Sequence, residues 1–105
     1  MEKTTKILIA EENEELRCEV KEYLRGQGYR FIDEAKNGEE ALQMITRTRP
    51  DVVIVDLWLS KLDGIGVIRG ARKLPLSQKE RPVMILVSLV EIGRASCRER
   101  VYSYV

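Results

Sequence analysis

Uninterrupted apolar runs alternate with longer stretches in which apolar residues return every three or four positions, and the two patterns take turns from Lys6 to Ser88. The first pattern predicts a buried strand and the second an amphipathic helix. Lys6–Ala10 (KILIA) is the first strand, and Glu11, Glu12 and Asn13 follow it, where negative charge suits a helix N-terminus. Leu16, Val20, Tyr23 and Leu24 then share one helical face until Gly26 and Gly28 stop the helix. Arg30 to Ala35 is the second strand candidate. Asn37-Gly38 turns the chain into a stripe of Ala41, Leu42 and Ile45 that ends before Pro50. Val52–Val55 is apolar on both faces, as at the centre of a parallel sheet, and stops at Asp56. A loop leads to Asp63-Gly64 and a third helix carrying Ile65, Val67, Ile68 and Ala71, which Pro75 closes. Val83 to Val87 is a fourth strand that ends at Ser88.

The order β-α-β-α-β-α-β predicts right-handed crossovers and an α/β parallel sheet with helices on both faces. After Val90 the pattern is lost: Glu91 to Val105 (EIGRASCRERVYSYV) has neither a helical stripe nor a strand alternation. At 105 residues, the chain has room for one small domain. Its 18 Lys plus Arg against 17 Asp plus Glu leave a net charge of +1, which offers no general attraction to nucleic acid or anionic lipid. No apolar run is long enough to span a bilayer, and no signal peptide is evident, so a cytoplasmic location without membrane contact is expected. Cys18 and Cys97 form no metal or disulfide pattern, and zero histidine excludes any imidazole-based catalysis.

In a parallel α/β sheet, ligands gather at the carboxyl ends of the strands. The first strand delivers Glu11 and Glu12 to that edge, the third delivers Asp56, and the fourth delivers Ser88. Three carboxylates at one point repel one another unless a cation joins them. Carboxylates completed by water are what Mg²⁺ prefers. Taken singly, these residues read more simply: Glu11 and Glu12 as helix-start charges, Asp56 as a turn residue and Ser88 as a strand end. Gly64 to Gly70 (GIGVIRG) nearly spells a dinucleotide fingerprint, but Arg69 stands at the third glycine's place and no strand directly precedes it.

The combination Ala10-Glu11-Glu12-Asn13, Asn37-Gly38-Glu39-Glu40-Ala41-Leu42, Asp51 through Asp56 to Asp63-Gly64, and a strand ending in Ser88 resembles the receiver domain of two-component response regulators. Glu22-Tyr23-Leu24 with Gly26-Gln27, and Leu62-Asp63-Gly64, further resemble the sporulation master regulator subfamily of spore-forming Firmicutes. The resemblance implies a flavodoxin-like fold and a phosphoacceptor rather than a turnover enzyme. It makes Asp56 the nucleophile toward a phosphohistidine on a sensor histidine kinase or phosphotransfer protein. It assigns Mg²⁺ to Glu12 directly, Glu11 through water, Asp56 and the backbone carbonyl of Trp58, and it gives Ser88 a switching hydrogen bond to the phosphoryl group. Receiver dimerisation, and DNA contact through a separate output domain that regulates transcription, are further implications.

Several positions depart from the family pattern. Glu stands where the family usually has Asp, and Leu59-Ser60 replaces the usual Met-Pro. The family's lysine at the end of a fifth strand has no counterpart, because the last lysine is Lys79. Glu91–Val101 resembles an in-frame translation of a DNA-sequencing adapter, so the expected organisation is a partial receiver over 1–90 and a non-native tail over 91–105. The fifth strand and last helices would then be missing. A pseudo-receiver that binds proteins without phosphorylation is the alternative function, favoured by the double Glu. A haloacid-dehalogenase-like phosphatase would need an acid two residues after Asp56, where Trp58 stands.

Overall fold

The computed structural model describes residues 4–91 and 102–104. Four strands, β1 (Lys6–Ala10), β2 (Phe31–Ala35), β3 (Val52–Asp56) and β4 (Val83–Val87), form one parallel sheet in the order β2-β1-β3-β4. Helices α1 (Glu14–Gly26), α2 (Gly38–Thr48) and α3 (Gly64–Arg72) are the crossovers. Two short strands, β5 (Leu89–Glu91) and β6 (Tyr102–Tyr104), pair antiparallel in a separate sheet. The expected non-native stretch 91–105 otherwise lies outside the described residues.

Strand alternation sorts the core into two layers. Leu8, Ala10, Val53 and Val55 point to one side and pack with Ala41 and Ile45 of α2 and with Val67 and Ala71 of α3. Ile7, Ile9 and Val52 point to the other side and meet Val20 and Leu24 of α1 together with Ile32 and Ile54. The central strands β1 and β3 are therefore apolar on both faces for the reason inferred from their runs.

Each helix begins with a side-chain cap. Asn13 accepts from the backbone N–H of Glu15 (2.9 Å) and Leu16 (3.1 Å), Asn37 from Glu40 (2.9 Å), and Asp63 from Gly66 (2.7 Å). Such a cap contributes about 1 kcal/mol. Tyr23, expected on the buried stripe of α1, is 67% exposed, because it lies at the stripe's outer edge, about 60° around the helix from Val20. Among the described residues, the last strand of the main sheet, β4, has a partner on one side only, and its Val83, Ile85 and Leu86 are exposed.

Candidate functional site

The register of β1 and β3 places the acidic residues. Ile9 and Ile54 are cross-strand partners in the layer that faces α1. Two residues further along each chain, the same side of the sheet edge receives Glu11 from β1 and Asp56 from β3. Both are buried, at 3% and 6% exposure. Glu11 Oε2 accepts the Asn13 N–H at 2.9 Å, while Oε1 is buried with no hydrogen-bond partner.

Burial pushes the Glu11 carboxyl up, and the Asn13 amide pulls against that. The nearby Asp56 pushes it up again, to about 7 from the ordinary 4.5. The Glu11 carboxyl is therefore set to bind a proton near neutral pH.

A buried arginine holds this acidic turn. Arg17, 6% exposed, donates from Nη1 to the carbonyl oxygen of Glu11 at 2.8 Å and to that of Glu12 at 3.5 Å. Its Nε pairs with Glu34 at 2.9 Å, and Lys21 reaches the other Glu34 oxygen at 2.7 Å. Lys21, with Arg17 assisting, keeps the Glu34 carboxyl below the usual carboxylate range. Sequence reasoning missed Arg17 and Glu34. The available signal was a cation in the first turns of α1, where the helix dipole disfavours one unless something else holds it.

Glu12 is placed differently from Glu11. Its residue is exposed, and only its main chain is engaged by Arg17. Among the described residues, no three acidic, thiol or imidazole groups stand close enough to hold a metal. Glu11 and Asp56 nonetheless fit one. Mg²⁺ commonly takes one or two carboxylates and keeps several waters, and the spare Glu11 Oε1 is a buried oxygen in want of a partner.

The loop after β3 is pinned along its length. Leu57 N–H donates to Val87 O at 2.8 Å, Leu59 is buried, and Gly38 N–H donates to Ser60 O at 3.3 Å. Lys61 takes a left-handed backbone, with φ 66°. Gly64 N–H returns to Leu57 O at 3.1 Å. That return needs glycine, since a Cβ there would lie 2.5 Å from the Asp56 carbonyl oxygen and 2.9 Å from Leu57 Cα. At Gly38 a Cβ would fall 1.8 Å from Leu62 O.

Ser88 follows Val87, the cross-strand partner of Asp56, and is 8% exposed. Its Oγ accepts the indole N–H of Trp58 at 3.2 Å. Trp58, singled out in the sequence for its backbone carbonyl, thus reaches Ser88 through its ring.

A family model for the response regulator receiver domain matches residues 7–96. Among curated proteins, a putative transcriptional regulator of Pseudomonas aeruginosa is 35% identical over 75 residues, covering 71% of this chain and 36% of that protein. The probable transcriptional regulator ycf27 of Guillardia theta is 35% identical over 93 residues, covering 89% and 35%. The chain thus spans about a third of the length of these relatives. Among solved structures, the receiver domain of the Pseudomonas aeruginosa sensor histidine kinase PA1611 superposes with a TM-score of 0.69 at 28% identity, covering 79% of this chain and 66% of that one. That structure is described with a magnesium ion coordinated in its active site cleft.

Proposed function

The chain belongs to the response regulator receiver family, and on that premise we propose that it accepts a phosphoryl group on Asp56 from the phosphohistidine of a sensor histidine kinase or phosphotransfer protein. The observation that carries the proposal is the buried Glu11 and Asp56 pair at the carboxyl edge of β1 and β3, two acids close enough that Asp56 helps raise the Glu11 pKa. An Asp56 carboxylate oxygen attacks phosphorus, the new P–O bond forms as the P–N bond breaks, and the histidine leaves with the electron pair. Asp56 is held for this step by the pinned start of the loop at Leu57, and Glu11 by Asn13 and Arg17.

Mg²⁺, when bound, neutralises charge on the transferring oxygens. Glu11 and Asp56 are the buried side chains that would hold it, with the Trp58 carbonyl and the exposed Glu12 completing the set. Ser88 would donate its hydroxyl to a phosphoryl oxygen. The output would be regulation of transcription through a domain beyond this chain, as the names of the relatives suggest.

Incubation with a small acyl phosphate and Mg²⁺, followed by intact mass measurement, should add one base-labile phosphoryl group to the wild type and none to Asp56→Asn. A wild type that gains no mass would favour the second reading, a pseudo-receiver acting as a protein-binding module.

A further inference from the structure

We infer that Trp58 is a positioning residue for the Ser88 hydroxyl: its indole N–H occupies one lone pair of Ser88 Oγ, so that the hydroxyl proton is presented to an oxyanion on Asp56. The inference rests on the phosphoacceptor reading above.

Three observations carry it. The indole Nε1 lies 3.2 Å from Oγ, within the range of an N–H···O hydrogen bond. Trp58 is 69% exposed whereas Ser88 is 8% exposed, so the aromatic residue sits at the rim and reaches inward by its polar edge. The backbone under the ring is fixed on both sides, by Leu57 N–H on Val87 O and by buried Leu59, so the ring's placement is a matter of its own side-chain torsions.

A serine hydroxyl has one proton and two lone pairs. An indole can only donate, so it leaves that proton uncommitted. Accepting one hydrogen bond also polarises the O–H and strengthens the bond it donates. A phosphoryl group on Asp56 brings three acceptor oxygens to the same sheet edge. With the N–H in place, the hydroxyl is oriented before the phosphoryl group arrives. Without it, Ser88 is free to rotate among three staggered positions.

The test uses residues 1–105, a small acyl phosphate as donor and Mg²⁺. Transfer forms the Asp56 O–P bond, breaks the donor's O–P bond and releases the donor's carboxylate with the electron pair. Trp58→Phe keeps an aromatic ring but removes the N–H, and at an exposed position it leaves the fold intact.

After removal of donor, the phosphoryl group on Trp58→Phe should be lost about fivefold faster than on the wild type, the factor that one neutral hydrogen bond is worth. In a Ser88→Ala background the same substitution should have no effect. Independently, Trp58 is the only tryptophan in the chain, so its indole N–H gives a single NMR resonance, which should shift in unphosphorylated Ser88→Ala. Equal lifetimes for wild type and Trp58→Phe, an undiminished Trp58→Phe effect in Ser88→Ala, or an unmoved indole resonance would each overturn the inference while leaving Asp56 as acceptor. A wild type that takes up no phosphoryl group would overturn the phosphoacceptor reading, and this inference with it.

Discussion

With metal removed by a chelator, the stability of this domain should fall as pH rises through neutrality, and Glu11 should be the cause. An unfolded glutamate titrates near its ordinary 4.5, whereas the folded Glu11 titrates at about 7. An acid whose folded value is raised binds its proton more tightly in the native state. Its contribution is therefore fully present below about pH 4.5 and is lost as pH rises through about 7. Integrated between pH 5.5 and 8, that difference amounts to about 2 kcal/mol, a sizeable part of the ~5–15 kcal/mol that holds a domain together.

The chain has no histidine, so a slope in this window that disappears in Glu11→Gln is assigned to Glu11. Urea unfolding at pH 5.5 and at pH 8 measures it directly. Glu11→Gln removes the titrating group and should flatten the slope while raising stability at pH 8. Equal unfolding free energies for the wild type at the two pH values, or an undiminished fall in Glu11→Gln, would refute the reasoning. Excess Mg²⁺ should flatten the wild-type slope by favouring the ionised pair.

Other outcomes follow from the same geometry. Arg17→Met should cost about 2 kcal/mol in urea unfolding, because it strands the buried Glu11 carbonyl and leaves Glu34 with Lys21 alone. Gly64→Ala should cost ~1–3 kcal/mol and slow phosphoryl uptake, since its Cβ meets the Asp56 carbonyl at 2.5 Å and the loop must move away. The exposed edge strand β4 should drive self-association, and Ile85→Lys, which puts a charge on that edge, should shift sedimentation toward monomer.

Much of this domain is visible in its residue pattern. Two apolar runs, KILIA and VVIV, had to become central strands, because no other element buries both faces of so short a segment. Asn37-Gly38 and Asp63-Gly64 were legible as turns into helices, and Asn13, Asn37 and Asp63 each cap the helix that follows by accepting a backbone N–H. Asp56 at the end of the central strand was marked for the carboxyl edge by the abrupt switch from apolar to charged.

The division of labour within the site was not visible in the same way. Adjacent glutamates at 11 and 12 are chemically equivalent in a sequence. Only the β1–β3 register turns Glu11 inward beside Asp56, while Glu12 is left in solvent. Arg17 and Glu34 are 17 residues apart, and their pairing needs α1 laid across β2. Trp58 and Ser88 are 30 apart and meet only because the loop after β3 is pinned beside the end of β4. Strand and helix identity follow from local periodicity, which a chain carries in its own order of residues. Which of two neighbouring carboxylates is buried, and which ring reaches which hydroxyl, depends on contacts between distant segments, and those exist only once the sheet has assembled.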